Sequence, residues 1–569
     1  MPSSGVAMES SLNFLDEPLI CWRDTQAAVQ HGSLPELLAA LAANGVRDFP
    51  RLRPHQRHPW HAFLVQLAAI ALHHAGQDEP WTSDADWRAA LLALTPDDAD
   101  GAAWCLVAPP DRPALLQAPV PHGIDDWDAE VHSPDRLDMI GTSKNHDLKR
   151  ARARQAAPDD WLFALVSLQT QAGSNSGSYK GISRMNSGAG SRLGIGVMQK
   201  NSAWGQRWKV DLSTLQKFRE TLAKDYEFPL QGGLALLWLP AWDDPVSIGF
   251  RTLDPFYIEV CRRVRLEMRE TGICARTTKT PVSRIEEGEA RKGRTGDLWT
   301  PIDKEGKKIM AVPKQGFRYE LVTKLLTLDG QYEPAPAQTL GCHDGNTALE
   351  LICQGIAPDG MSRTLGYHER RVPLSPKLRR YLAGDQRPLL ARMARRRIEA
   401  IAAMRKLLWT ALAVLFANGK DNDMTDAVKD RASRFAQPFE QQEDSRFFDD
   451  LTAHIEAEGE QQEAVYLHWL LGLAERAQGV LEAAFDAGPR SAMQRYKAQA
   501  TALSRFASGL RGGKKPLFPE LVAHYDQQRS ARSTPTAGEA PCLTTPATPQ
   551  PKTAPQTAAQ TMQQQLTLL

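Results

Sequence analysis

The chain has 569 residues, of which 42% are hydrophobic and 24% are charged, and this composition excludes a fibrous or wholly disordered protein. Its length is sufficient for about three or four domain-sized units. The 68 basic and 67 acidic residues give a net charge of only +1, so an anionic partner must be bound by a local concentration of cations.

No apolar run approaches the roughly 20 residues that a transmembrane helix needs, and the N-terminus lacks a basic segment followed by an apolar one. We therefore expect a cytoplasmic protein with no membrane partner. The seven cysteines are widely spaced and form no CxxC pair, which favours buried thiols over a disulfide framework. The alternative is a zinc site that combines Cys261, Cys274, Cys342 and Cys353, but their spacing is not that of a zinc ribbon, so we expect no metal and no cofactor.

The first part of the chain, residues 1–388, alternates between helix-like and strand-like patterns. Leu34 to Asn44 and Trp60 to His74 have helical periodicity, whereas Leu234 to Leu239 and Phe317 to Leu326 have the composition of strands. The pattern predicts one large α+β domain.

A segment without acidic residues extends from Trp161 to Val210 and contains six cations, Lys180, Arg184, Arg192, Lys200, Arg207 and Lys209. At average acidity about six acids are expected there, so the segment is expected to lie near something negative. Its centre, GSNSGSYKGISRMNSGAGSRLGIG, is more than half Gly and Ser, which allows backbone amides to approach a phosphate or a base edge closely. We interpret it as a phosphate-contacting loop; the alternative is a flexible linker. The loop is neither a P-loop nor a dinucleotide fingerprint.

Two further basic concentrations follow. Between Cys261 and Lys314 there are 14 Lys and Arg against 8 Asp and Glu, a net charge of +6. Within it Arg291, Lys292 and Arg294 form a cluster, called here the basic finger, which favours contact with a nucleic-acid groove or backbone. The alternative is a solvated hairpin of mixed charge. The second concentration lies between Arg370 and Arg397, and its alternative is a solvated helix face with interface arginines.

Residues 389–512 read as four amphipathic helices in series, which predicts a four-helix bundle. One apolar stripe contains Ile398, Ile401, Met404, Leu408, Leu412 and Leu415. Residues 513–569 form a linker and a Thr/Pro/Gln-rich tail that we expect to be disordered, because it cannot bury enough apolar surface.

Candidate catalytic groups are sparse. His55, His58 and His61 have helical spacing, but we expect Pro59 to interrupt the helix, and a metal site is not favoured. His146-Asp147 and His343-Asp344 are isolated dipeptides, and HExxH and GxSxG motifs are absent. The residues therefore predict a nucleic-acid-binding protein without hydrolytic chemistry of its own.

A series of motifs in a fixed order carries a resemblance over about residues 11 to 510. The series is NFLDEPLICW, SLPELLAAL, HAFLVQLAAIAL, LFALVSLQTQ, GSNSGSYKGISR, GFRTLDPFYIEVC, GDLWTP, LELICQGIAPDGMSRTLGYHERR, KLLWTALAVLFANG and VKDRASRFAQPFEQ. In order and spacing the chain resembles the CasA family, the large subunit of the type I-E CRISPR Cascade surveillance complex. The tail lies outside the resemblance.

The resemblance implies four DNA- or RNA-contacting regions. The family's glycine loop falls on Ser176, Gly177, Ser178, Tyr179 and Lys180, and its lysine finger falls on Arg291 or Lys292, beside Arg294. Its wedge hairpin falls on Pro358, Asp359, Gly360 and Met361. This chain has Gly360 where the family has a Gln, which leaves Met361 as the hypothetical apolar wedge. The family's guide-handle loop falls on Gly141 to Lys149, with Lys144 and Lys149 as candidate contacts.

The function implied is that of a non-catalytic subunit in antiviral defence. Such a subunit binds double-stranded DNA, reads the protospacer-adjacent motif from the minor groove, helps to initiate strand separation and R-loop formation, stabilises the displaced strand and recruits a helicase-nuclease. Its partners would be a guide RNA and the other Cascade subunits. The alternatives are a metal-dependent nuclease or nucleotidyl-transferring enzyme that uses the glycine loop for phosphates, and a structural scaffold.

Overall fold

The computed structural model describes most of the chain as two compact units, Met1–Phe506 and Ala507–Leu569. The described residues are 12–98, 100–127, 129–138, 156–173, 178–185, 191–242, 246–286, 290–328, 330–340, 347–358, 364–420, 424–489, 491–512 and 516–533. No helix in these ranges is long and apolar enough to cross a lipid bilayer.

The described residues combine long helices with short strands, so the fold is α+β as predicted. Helices α1 to α7 are Leu34–Ala42, Arg57–Ala75, Asp84–Ala93, Pro134–Leu137, Pro158–Gln171, Trp204–Tyr226 and Tyr319–Thr327. Helices α8 to α13 are Pro376–Ala383, Arg387–Phe416, Asp426–Glu456, Gln461–Ala483, Ala492–Arg511 and Pro519–Ser533. Strands β1 to β7 are Ile20–Asp24, Val29–Gly32, Val46–Asp48, Ala129–Val131, Gly194–Gln199, Leu234–Leu236 and Leu253–Ile258. Strands β8 to β14 are Val264–Arg269, Gly272–Thr277, Ile302–Asp303, Lys308–Ile309, Tyr332–Glu333, Leu349–Pro358 and Thr364–Leu374.

The first two predicted helices are confirmed as α1 and α2. Ser33 caps α1 in a reciprocal capping box with Glu36, which satisfies two amides that the first turn leaves without partners. The expectation that Pro59 interrupts the second helix is wrong. Because α2 begins at Arg57, Pro59 lies in its first turn, where an amide proton is not required.

Helix α2 is the centre of the large core and is buried continuously from His58 to Leu72. It packs against α3, α5, α6 and β7. The Trp60 ring lies 4.9 Å from that of Phe163 and 5.7 Å from that of Phe49, both in edge-on geometry. This core fixes β7, and β7 leads into the segment beneath the glycine loop.

The largest hairpin is formed by β13 and β14, which pair antiparallel from Leu349 opposite Leu374 to Pro358 opposite Thr364. Strand β5 pairs with the other edge of β13. Strands β4, β9 and β8 form a second antiparallel sheet, and β11, β10 and β12 form a third. The predicted strand at Leu234 to Leu239 is present as the shorter β6.

The predicted strand from Phe317 to Leu326 is wrong, because this segment forms α7. Its buried residues Tyr319, Val322 and Leu325 recur every three residues, which suits one helix face. The helix also begins on a tertiary contact, since the Tyr319 amide donates to Asp444 Oδ1 of α10 at 2.8 Å. Packing on α9 and α10 therefore overrides the strand composition.

The four helices predicted after Leu389 are α9, α10, α11 and α12. Helices α9, α10 and α11 pack against one another, and the apolar stripe from Ile401 to Leu415 is buried among them. Gly419, at a φ of 77°, allows the end of α9 to approach α12, because a Cβ there would lie 3.2 Å from Ala498 Cα. The boundaries 389–512 remain a prediction for the extent of this domain. The segment after it was expected to be a linker and a disordered tail, but Pro519–Ser533 forms helix α13, so that expectation is wrong for these residues.

Arg397 of α9 provides a test of how the bundle is stabilised. Its side chain is 0% exposed, and its three guanidinium nitrogens have no hydrogen-bond partner among the described residues. The guanidinium lies 4.3 Å from the Trp469 ring, and burial lowers the pKa of Arg397 to about 10. An unpaired buried charge is costly, so we expect Arg397→Met to raise the free energy of unfolding by about 1–3 kcal/mol in urea denaturation.

Arg396→Met is the matched control, because Arg396 is partly exposed and paired with Glu463 at 2.8 and 2.9 Å. We expect that change to alter the free energy of unfolding by less than about 1 kcal/mol. A loss of stability in Arg397→Met would show that the stacking on Trp469 outweighs the cost of burying the charge.

Candidate nucleic-acid interface

The glycine loop is attached to the fold through its backbone. Ser178, Tyr179 and Lys180 are described, whereas Ser176 and Gly177 lie outside the described residues. The Lys180 amide donates to the Thr280 carbonyl at 2.9 Å, and the Thr280 amide donates to the Ser178 carbonyl at 2.9 Å. These bonds form a parallel bridge to the segment that follows β9.

Ser183, three residues after the loop, is bound by a buried carboxylate. Its amide donates to Glu259 Oε1, and its hydroxyl donates to Glu259 Oε2 at 3.0 Å. The same hydroxyl lies 2.8 Å from the Tyr257 hydroxyl. Glu259 follows β7 directly and is 4% exposed, and burial raises its pKa to about 7.

Two arginines add contacts on either side of the loop. The Arg184 guanidinium lies 3.8 Å above the Tyr257 ring and donates to the Tyr257 carbonyl at 2.9 Å. Arg262 donates to the carbonyl of Gly173, three residues before the loop, at 2.7 Å. The segment from Tyr257 to Arg262 is therefore bonded to the chain on both sides of the loop.

The acid-free segment has its negative partners within the protein. Arg192 pairs with Asp297 at 2.5 Å, and Arg207 lies 3.8 Å from Asp211. With Arg184 stacked on Tyr257, three of the six cations serve internal contacts. The negative group near Arg192 is Asp297, from a distant part of the chain, and the one near Arg207 is Asp211, which directly follows the segment on the same helix. The missing acids by themselves therefore do not indicate an external ligand.

The basic finger forms a turn that presents its three cations differently. The Arg291 guanidinium lies 4.2 Å above the Phe250 ring, so this side chain is directed along the protein surface. Lys292 and Arg294 are exposed, and Lys292 has a φ of 52°. The Lys292 carbonyl accepts from the Ile309 amide at 3.0 Å, which attaches the turn to β11.

The attachment of the basic finger to β11 indicates that two further cations lie close to it, which the sequence interpretation did not single out. Lys304 and Lys307 are exposed in the turn between β10 and β11. They lie in the same basic stretch as the finger, but only the pairing of β10 with β11 and of β11 with Lys292 indicates that they lie close to it. The acidic Asp303 and Glu305 are in the same turn, so this surface has mixed charge.

Several predicted residues lie outside the described residues. Pro358 is the last residue of β13, but Asp359, Gly360 and Met361 are not described. The same holds for Lys144 and Lys149 and for both His-Asp dipeptides. These assignments stay predictions.

The three histidines near α2 do not converge on one point. His55 Nε2 lies 2.6 Å from Asp138 Oδ2, and His61 Nε2 lies 2.7 Å from Asp211 Oδ2. His58 is buried between these contacts. Each paired histidine thus has its own carboxylate, contributed by a distant part of the chain.

Metal-capable side chains do meet on the sheet of β4, β9 and β8. Donor atoms of Glu130, His132 and Cys274 lie within 4.8 Å of one another. Arg269 already pairs with Glu130 at 3.0 Å and supplies a cation there. Cys261, Cys274 and Cys353 are free buried thiols, as the favoured interpretation predicted, while Cys342 is outside the described residues.

The basic concentration between Arg370 and Arg397 consists largely of interface arginines. Arg370 pairs with Asp444 at 2.7 Å, Arg371 with Glu350 at 2.7 Å and Arg396 with Glu463. Arg380, Arg392 and Arg395 are exposed. The interface interpretation is therefore correct for the paired members.

Solved structures with the same fold cover almost the whole chain. CRISPR-associated protein Cse1 from Acidimicrobium ferrooxidans matches with a TM-score of 0.60 and 14% identity, over 92% of this chain and 99% of that one. Thermus thermophilus CasA (Cse1) matches with a TM-score of 0.57 and 14% identity, over 87% and 98%. A chain of a CRISPR RNA-guided surveillance complex matches with a TM-score of 0.50 and 14% identity, over 87% and 99%.

Neither a protein-family model nor a curated protein matches the sequence. The chain has the fold of Cse1 and CasA proteins, so the resemblance found in the sequence is confirmed for the fold.

Proposed function

We propose that this chain is the large subunit of a type I-E CRISPR Cascade complex that acts in antiviral defence in the cytoplasm. The observation that carries the proposal is the fold match over 92% of this chain and 99% of a Cse1 protein, which spans the entire chain rather than one module. The proposed partners are a guide RNA, the other Cascade subunits, target double-stranded DNA and a helicase-nuclease. The subunit itself is non-catalytic.

The glycine loop and the basic finger would contact the duplex together. The minor groove presents a degenerate pattern of donors and acceptors, so a glycine-rich backbone that approaches it closely reads a short motif with few hydrogen bonds. Lys292 and Arg294 would bind phosphates on the flanking backbone. Guide-RNA pairing then reads the rest of the target.

The wedge, Pro358 to Met361, would separate the first base pairs beyond the motif. Unpairing costs a few kcal/mol, which the growing heteroduplex and contacts to the displaced strand must offset. The β13–β14 pairing supports this proposal because Pro358, the first residue assigned to the wedge, ends β13 opposite Thr364 of β14. Lys144 and Lys149 would contact the guide handle.

The experiment that tests the proposal is purification of the tagged protein from its native cells at low salt, followed by sequencing of the nucleic acid that co-purifies. We expect discrete repeat-derived guide RNAs and several companion subunits. Absence of guide RNA, together with metal-dependent turnover by the isolated chain, would support the nuclease or nucleotidyl-transferase alternative instead.

The geometry of the basic finger predicts which cation reaches DNA. We expect Lys292→Ala to weaken duplex binding and to reduce the salt slope of binding by about one, because one phosphate contact is lost. Arg291→Ala is expected to leave the slope nearly unchanged, because its guanidinium lies over Phe250. Fluorescence anisotropy with labelled duplex over a series of salt concentrations measures both effects.

Arg88→Ala is the matched control, because Arg88 is an exposed cation already paired with Asp16 at 2.7 Å. A reduced slope in Arg291→Ala but not in Lys292→Ala would reverse the assignment.

A further inference from the structure

The segment from Tyr257 to Arg262 has contacts to both sides of the glycine loop, and one of its residues is a buried carboxylate. Glu259 accepts two hydrogen bonds from Ser183, and Arg262 donates to Gly173. We propose that Glu259 is a positioning residue that sets the path of the glycine loop, and with it the placement of Tyr179 and Lys180 for DNA binding. This inference rests on the proposed function of the loop.

The hydrogen bonds between Ser183 and Glu259 fix the chain just after the glycine loop. The Ile182 amide donates to the Ala172 carbonyl at 3.1 Å, which joins the chain before the loop to the chain after it. Beneath it, Ala172, Ile182 and Met185 pack with Cys261 in a small apolar cluster. The loop is thus held by a polar anchor, Glu259, and by an apolar base to which the chain after β7 contributes Cys261.

Glu259 is suited to this role by its charge as well as by its position. The cations that face it are Arg184, from the loop side, and Arg192, which is already paired with Asp297. Both arginines favour the charged form of Glu259, whereas burial favours the neutral form and raises its pKa to about 7. On its own strand and the residues just after it, Tyr257 and Cys261 are the neighbouring titratable groups.

Removal of this carboxylate affects two donors at once. Glu259→Ala leaves the Ser183 amide and hydroxyl without their acceptor in a buried site, so the loop base must move to find other partners. Glu259→Gln retains an oxygen for the Ser183 amide, and the Ser183 hydroxyl can accept from the new amide group. The conservative variant should therefore rescue much of the loop geometry.

The test uses the guide-loaded complex purified from cells, bound to a duplex that matches its guide and carries randomised bases beside the target. We expect Glu259→Ala to weaken binding about tenfold, and Ser183→Ala and Glu259→Gln to weaken it less. In the Glu259→Ala background, Lys180→Ala should have little further effect, because the loop no longer places that side chain. Lys292→Ala, on a separate turn, should keep its full effect.

A purely structural role for Glu259 would not produce this pattern. Glu443→Ala is the matched control, because Glu443 is an equally buried carboxylate, paired with Arg476 of the bundle at 2.6 Å. It should lower the melting temperature without making the effect of Lys180→Ala disappear. If Glu259→Ala fails to assemble, Ser183→Ala provides the same comparison with Lys180→Ala.

The outcomes separate this inference from the proposed function. If Lys180→Ala binds DNA as tightly as the unmodified complex, the proposed role of the loop is wrong. If Lys180→Ala weakens binding while Glu259→Ala and Ser183→Ala do not, or if the effects of Glu259→Ala and Lys180→Ala are fully additive, the loop binds DNA but Glu259 does not position it.

Discussion

Asp297→Ala is expected to lower the free energy of unfolding by about 3–5 kcal/mol, because it removes one partner of a buried ion pair. The side chains of Arg192 and Asp297 are 3% and 0% exposed, and they are joined at 2.5 and 3.2 Å. Asp297 Oδ1 also accepts from the Trp299 amide at 2.9 Å. Without Asp297, the buried Arg192 charge has no carboxylate within salt-bridge distance among the described residues. Urea denaturation of the purified chain measures the loss.

Asp16→Ala is the control for this experiment, because Asp16 and Arg88 form an exposed ion pair. Its effect should stay below about 1 kcal/mol. Asp297→Asn should lose less stability than Asp297→Ala, since the amide oxygen can still accept from the Trp299 amide. A loss below about 1 kcal/mol for Asp297→Ala would mean that Arg192 finds another partner and that the pair contributes little to stability.

Acid is expected to destabilise the protein through two buried histidines of α2. Burial lowers the pKa of His61 to about 4 and lowers that of His58 as well. His61 donates from Nε2 to Asp211, and its Nδ1 has no hydrogen-bond partner among the described residues. A proton added to Nδ1 therefore creates a buried charge whose new N–H group has no hydrogen-bond acceptor.

The sign of the effect follows from the two states of His61. In the unfolded chain the imidazole takes up a proton near pH 6.5, whereas in the folded chain it does so only near pH 4. The stabilisation is complete above about pH 6.5 and is lost as the pH falls towards 4, by about 3 kcal/mol for His61 alone. Urea midpoints measured between pH 7.5 and about 4 test this expectation.

We expect His61→Gln to remove the part of the pH dependence that comes from His61, and to lower the free energy of unfolding at neutral pH. His132→Gln, a change at an exposed histidine, is the matched control and should alter neither quantity. A pH profile in which His61→Gln has the same slope as the unmodified chain would contradict the assignment. Buried Glu259 has the opposite effect on the free energy of unfolding: because burial raises its pKa to about 7, its contribution is lost as the pH rises rather than as it falls. The pH profile of a Glu259 variant must therefore be measured separately.

The sequence was most informative where one local pattern decides the structure. Helical periodicity located α1, α2 and the helices from α9 to α12, because an amphipathic or wholly apolar repeat leaves few other ways to bury the same residues. The order of motifs identified the whole-chain fold although identity to the solved structures is 14%, because their arrangement along the chain is more specific than any one of them. The α+β class followed from the same patterns.

Local patterns were wrong where a distant contact decides. Phe317 to Leu326 has a strand composition but forms α7, because α9 and α10 cover one helical face and Asp444 binds its first amide. Pro59 was expected to break a helix because the true start of α2 was not evident. The first error concerns the type of an element and the second concerns where an element begins, and both depend on what the element packs against.

In the candidate nucleic-acid interface, too, the sequence determined some features and only the tertiary structure decided others. The sequence by itself determined that a glycine-rich, acid-free loop and a basic finger exist, and that the chain carries the motif order of the CasA family. Only the tertiary structure decided that Arg192 is paired with Asp297, and that Arg291 lies over Phe250 while Lys292 is exposed. The physical reason is that these contacts join residues that are far apart in the chain, and no local pattern records which partner the fold brings close.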